Sequence, residues 1–275
     1  MAYAFPGAGA LDYMPCSYAG SRLLFRGPKA QLQETFVACL GGTETYGKFI
    51  PTPFPDLLDE MLEVQVANLG CVNASPEVYA QERELMKVVS GAAACVVQIT
   101  GAQNVSNRYF SVHPRRNDRF TGPTPLLRSL FRQVDFTEFS FTRHLMQALQ
   151  RQSSDRFEVL AEELRSDWVA RMKDVLAQLR CPTVLLWLSD APPPEPGRRA
   201  DLGREPMLVD AEMIAAVKPG ATTYVEMIPS TEARAKGAEG MAFGPMEAQA
   251  AALLPGPAVH YELAKRLVPV LHQLI

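Results

Sequence analysis

The chain of 275 residues is 47% hydrophobic and 21% charged, and its 27 Lys and Arg against 30 Asp and Glu leave a net charge of −3. These values sit near the globular average and exclude a disordered tail, a disulfide-stapled mini-scaffold and a collagen-like chain. They also argue against a general nucleic-acid binder, which carries a basic surplus.

Residues 1–34 hold Gly, Pro and aromatic residues without period and are expected to form an arm or irregular cap ahead of one α/β domain over 35–275. Alternation starts at Thr35. Thr35–Leu40 is a short apolar run closed by Gly41-Gly42, as in a buried strand. A helix is expected over 54–62, with Pro53 and Pro55 suiting its start, then a strand over 64–69, a helix over 76–89 and a strand over 93–100. Residues 102–180 show no strand pattern and give an Arg- and Asn-rich loop, then helical spacing near 124–132, 138–151 and 155–179. Thr183–Leu188 is a fourth strand, Asp190–Pro206 a Pro-rich loop, 210–217 a short helix, Thr222–Ile228 a fifth strand and Val259–Leu274 the last helix. Strands alternating with helices imply a parallel sheet covered on both faces. The expected fold is thus three-layer α/β/α with a five-stranded parallel sheet and a helical insertion after the third strand.

The five cysteines (Cys16, Cys39, Cys71, Cys95, Cys181) are widely spaced and form no C-x-x-C pair. Zinc-ribbon and thioredoxin readings lack support, and a reduced cytoplasm is the expected setting. The N-terminus lacks the basic and apolar regions of a signal peptide, and no apolar run approaches the length of a membrane span. No cofactor or metal is expected. The 41–47 turn lacks the Lys-Ser/Thr pair of a P-loop, and the glycines miss dinucleotide-binding spacing.

Chemistry-bearing residues fall at the strand ends: Gly42, Thr43 and Glu44 after the first strand, Asn68, Gly70 and Asn73 around the second, Gln103 and Asn104 after the third, and His260 on the last helix. A hydroxyl on a tight turn, polar clusters and a late histidine could build an acyl-transfer site. The stretches LGGTETYG, FPDLL and VANLG, with His260, resemble the SGNH/GDSL esterase and thioesterase superfamily. That resemblance implies a flavodoxin-like SGNH core, Thr43 as nucleophile and His260 as base. It also implies an oxyanion hole from the N–H groups of Thr43 and Asn73 with the Gln103 amide, next to Asn104. Three departures stand out. Thr43 replaces the family's serine, Asn73 a glycine, and Pro257 the aspartate that orients the histidine, a role left to Glu44 or a backbone carbonyl. The FRGP, LGGTETYG and HPRRNDRF segments are also similar to a bacterial family of unknown function over nearly the whole chain.

Residues 104–120 carry Arg108, Arg115, Arg116 and Arg119 against Asp118 alone. Arginine forks suit carboxylate, phosphate and sulfate. An anionic small molecule or acyl carrier is the expected partner, with neither nucleic acid nor membrane. Two readings stay open: an SGNH-like hydrolase or acyltransferase of esters or thioesters, and a catalytically degenerate anion-binding or sulfotransferase-like protein on the same fold. Each residue also has a structural role available to it: Thr43 and the asparagines as loop-capping groups, His260 as a first-turn helix residue, the arginines as ion-pair partners.

Overall fold

A computed structural model describes residues 11–275. Five strands form one parallel sheet: β1 (Phe36–Gly41), β2 (Gln65–Gly70), β3 (Ala94–Gln98), β6 (Thr183–Leu188) and β7 (Thr223–Met227). Their order is β2-β1-β3-β6-β7. Every residue of β1, β3 and β6 is buried, because helices cover both faces. That is why these strands read as unbroken apolar runs. The α/β class and the five-stranded parallel sheet agree with the sequence expectation.

Side chains alternate across the sheet with a period of two. Val37, Cys39, Val96, Val184 and Leu186 face a core shared with α2 (Phe54–Leu62) and α11 (Pro257–Leu271). Ala38, Leu40, Cys95, Val97, Leu185 and Trp187 face the larger core. There lie α3 (Pro76–Ala80), α4 (Arg83–Val89), α7 (Ser154–Gln178) and α8 (Ala211–Val217). The single helix expected over 76–89 is therefore two helices.

The insertion differs more. Residues 102–180 do contain strands: β4 (Phe110–His113) and β5 (Arg116–Pro123) pair antiparallel around Pro114-Arg115. The hairpin escaped sequence reading because β5 is RNDRFTGP, charged and broken by Gly and Pro, without the β-branched alternation of an ordinary strand. Helices α5 (Pro125–Leu130), α6 (Thr142–Gln152) and α7 follow near the expected places. The Trp168 indole N–H of α7 donates to Thr100 O (2.8 Å), pinning the insertion to the end of β3.

The first ten residues of the expected arm lie outside the described residues. The rest is packed: Cys16 bridges to Phe25, and Tyr18, Leu23 and Phe25 join the larger core. Among the described residues no helix is long and apolar enough to cross a membrane.

Candidate functional site

β1 and β2 run in register to Gly41 and Gly70, so both chains leave the sheet at one edge. Helix α1 (Thr43–Tyr46) starts two residues past Gly41, and its backbone at Tyr46 closes directly on Gly70. Any side chain at Gly70 would collide with that backbone. Gly47 ends α1 in the left-handed region (φ 71°), where glycine is unstrained.

The start of α1 is held by Gln98, the last residue of β3. Its Oε1 accepts from Gly42 N–H (3.0 Å), Thr45 N–H (3.2 Å) and the Thr45 hydroxyl (2.6 Å). Its Nε2 donates to Glu44 Oε2 (2.8 Å), so Glu44 is engaged with Gln98. Beneath, the buried Tyr79 hydroxyl lies on Gly41 N–H (3.2 Å), Gly41 O (2.7 Å) and Leu69 O (2.7 Å). This lattice fixes where Thr43 stands.

The Thr43 hydroxyl donates to Asn73 Oδ1 (3.1 Å) and accepts from Asn73 N–H (3.0 Å). Asn73 is in the left-handed region (φ 57°), which asparagine tolerates better than most residues. Its carbonyl accepts from Asn104 Nδ2 (3.0 Å), and its Nδ2 donates to Asp118 Oδ2 (3.3 Å). Asn104 Oδ1 in turn accepts from the Thr142 hydroxyl (2.5 Å). Thr43, Asn73 and Asn104 are thus brought together, with Asp118 and Thr142 added by the insertion. Asn68 Oδ1 accepts from Gly70 N–H (3.1 Å), while its buried Nδ2 has no partner. Gln103 folds over Gly101, and its buried Oε1 has no partner either.

His260 sits elsewhere in chemical terms. Its ring is fully buried between α2 and α11, stacked on Phe54 (26° between planes, 6.1 Å between centroids). Nδ1 accepts from Phe54 N–H (3.0 Å), one of the N–H groups that the first turn of α2 leaves unpaired. Burial, reinforced by the charge of Arg26, lowers its pKa from 6.5 to about 3. The ring is neutral and its proton is on Nε2, because Nδ1 is an acceptor. Thr43 and His260 share no hydrogen bond among the described residues.

The arginines divide. Arg108 pairs with Glu163 (2.9 Å), and the Arg119 guanidinium lies over the Phe141 ring (4.6 Å to the centroid). Arg115 and Arg116 are exposed at the hairpin tip with no ion pair among the described residues. The hairpin docks beside the Thr43 turn through Asn117, whose Oδ1 accepts from the Ser75 hydroxyl (2.6 Å) and N–H (3.3 Å), and through Asp118.

Gln98, Tyr79 and Thr142 went unrecognised in the sequence. A glutamine inside the apolar run ACVVQ was the one available signal, since a buried polar side chain demands partners.

No curated protein matches the chain in sequence. Solved structures are similar to it at low identity, each with a TM-score under 0.5. A Desulfitobacterium hafniense protein assigned to the G-D-S-L lipolytic family is 11% identical, with TM-score 0.38, covering 86% of this chain and 99% of its own. A catalytic mutant of Axe2, an acetylxylan esterase from Geobacillus stearothermophilus, is 12% identical, with TM-score 0.43 and coverages of 86% and 94%. LAE5, an alpha/beta hydrolase from the Lake Arreo metagenome, is 14% identical, with TM-score 0.40 and coverages of 88% and 96%. The model of DUF6473, a domain of unknown function, matches residues 1–275, and the chain belongs to that family.

Proposed function

We propose that the chain binds an anionic small molecule or acyl carrier at the Thr43 edge of its sheet, without Thr43–His260 acyl transfer. The observation that carries this choice is the Phe54 N–H on His260 Nδ1. A general base for Thr43 needs a lone pair on Nε2, which a carboxylate secures by accepting the Nδ1 proton. Here a donor occupies Nδ1, Pro257 stands where that acid would be, and Nε2 carries the proton. Arg115 and Arg116 supply unpaired cations beside the turn, and the forked guanidinium suits carboxylate, phosphate or sulfate oxygens.

Two measurements test the reading together. Thermal unfolding with phosphate, sulfate, nucleotides and acyl-carrier thioesters is expected to show stabilisation by at least one anion. A ligand at about 100 times its Kd gives about 2.7 kcal/mol. Arg115→Ala/Arg116→Ala is expected to lose it. Short acyl esters and thioesters are expected to turn over equally with the wild type and Thr43→Ala. Thr43-dependent hydrolysis, or full anion stabilisation of the double variant, overturns the proposal.

The second reading, ester or thioester hydrolysis or acyl transfer with Thr43 as nucleophile, is favoured by one contact. Asn73 N–H lies directly on the Thr43 hydroxyl (3.0 Å), so a backbone donor for an oxyanion is already next to the attacking atom. It requires His260 to leave Phe54 N–H and present a bare Nε2. Hydrolysis lost in both Thr43→Ala and His260→Gln would establish it.

A further inference from the structure

The opposite end of the sheet carries a second arrangement, independent of the Thr43 edge. Between α4 and α7 lies a groove of about 1000 Å³. Arg83, Lys87 and Arg180 line it, over Met86, with Ser90 and Gly91 at one end. Its nearby acids are committed: Glu84 pairs with Lys87 (2.7 Å), and Asp174 with Arg171 (3.8 Å). Arg83 and Arg180 make no ion pair among the described residues. The groove therefore offers unneutralised cations beside apolar surface.

Cys181 follows Arg180 directly. Arg180 N–H donates to Ser90 Oγ (2.9 Å), and the Cys181 thiol donates to Val89 O (3.5 Å), so Cys181 is stitched to the end of the groove. It is partly exposed, whereas Cys39, Cys71 and Cys95 are buried. Cys95 belongs to the larger core and Cys181 packs against it, and the Cys95 thiol donates to Val96 O (3.9 Å). The strands hold them there: Cys95 N–H donates to Pro182 O (2.8 Å). The neighbouring Cys95 thiol keeps the Cys181 thiol below its ordinary range against the opposing effect of burial, while burial holds Cys95 well above. The attacking form of a cysteine is the thiolate, and of the two only Cys181 reaches the surface, so Cys181 is the reactive member.

We infer that Cys181 is a thiol-modification site for low-molecular-weight disulfides bearing carboxylates, with Cys95 as its resolving partner. The Cys181 thiolate attacks one sulfur of the reagent, the reagent's S–S bond breaks, and one half leaves as a thiolate that takes up the proton released by Cys181. Cys95 then gives up its proton and attacks Cys181 Sγ, expelling the second half as a thiol. The two cysteines are oxidised to one disulfide and the reagent is reduced to two thiols. The cations of the groove attract the reagent's carboxylates.

The test uses the full chain with oxidised glutathione, followed by alkylation of free thiols and intact and peptide mass spectrometry. The wild type is expected to lose two thiols as a Cys95–Cys181 disulfide without retained glutathione. Cys95→Ala is expected to stop at glutathione on Cys181, and Cys181→Ser to form neither product. Arg83→Glu/Arg180→Glu is expected to slow the reaction with oxidised glutathione about tenfold, leaving that with neutral bis(2-hydroxyethyl) disulfide unchanged. Modification first at Cys16, glutathione retained on wild-type Cys181, or equal slowing with the neutral reagent overturns the assignment.

Discussion

The Thr43 turn and the His260 pocket are the two halves of the site that the sequence suggests, and they are held by different forces. Thr43 is half-buried at a sheet edge and fixed by a polar lattice through Asn73, Asn104 and Gln98. His260 is fixed by burial, with one backbone N–H as its only hydrogen-bond partner among the described residues. A polar lattice can exchange a partner for a ligand at modest cost, since each bond contributes only about 1 kcal/mol net. A buried ring cannot turn without opening a cavity. Nδ1 takes the donor nearest to it, a helix N–H left unpaired by the first turn of α2, and the ring proton is left on Nε2.

Substitution should expose this asymmetry most strongly at the histidine. His260→Ala removes a fully buried ring and orphans Phe54 N–H, and is expected to cost about 3 kcal/mol in chemical unfolding. Thr43→Ala is expected to cost about 1 kcal/mol. Equal costs would mean that the two halves are held alike.

Acid sharpens the contrast next. The His260 pKa is 6.5 unfolded and about 3 folded, so between these values the unfolded chain binds a proton that the folded chain refuses. Stability therefore rises with pH across that window and is lost as pH falls through it, a contribution of the order of 5 kcal/mol at its limit. Asp56 runs the other way. Burial, opposed by Arg26, raises it from 3.8 to about 6, so the folded chain holds the extra proton and gains as pH falls through 6. Asp56→Asn is expected to steepen the acid loss between pH 6 and 4 in urea titrations. An unchanged slope would show that Asp56 does not oppose the His260 contribution.

Within the polar half, Asn104 should matter more than Thr43. It donates to the Asn73 carbonyl and accepts from Thr142, and is itself buried. Asn104→Ala is expected to cost about 2 kcal/mol and to speed amide exchange at Asn73. Slow exchange there would show that Thr43 alone holds the loop.

What the sequence disclosed follows the same division. TVLLWL is legible as a strand because both its faces are buried, and the Gly41-Gly42-Thr43 turn because glycine is needed where α1 meets the sheet. Strand β5 was hidden because its charged residues face solvent and its pairing is local to the insertion. At the site, the turn residues were readable but their partners were not. Gln98 lies 53 residues from Thr45, Asn104 lies 38 from Thr142, and Phe54 lies 206 from His260. Which donor reaches Nδ1 is decided by how α2 packs on α11, and no local pattern encodes it.

The smallest expected effect discriminates most finely. Thr43→Ser keeps the hydroxyl that Asn73 both donates to and accepts from, and removes only a half-exposed methyl. Its stability is expected to change by about 0.5 kcal/mol or less. If the methyl were what restrains an otherwise competent nucleophile, the serine variant would gain esterase activity, since threonine's branching limits its rotamers. With Nδ1 of His260 held by Phe54 N–H, neither hydroxyl has a base, and hydrolysis of short acyl esters is expected to stay at the wild-type level. A Thr43→Ser gain that His260→Gln abolishes would show that the ring leaves its pocket during turnover, and the two regions would then act as one site.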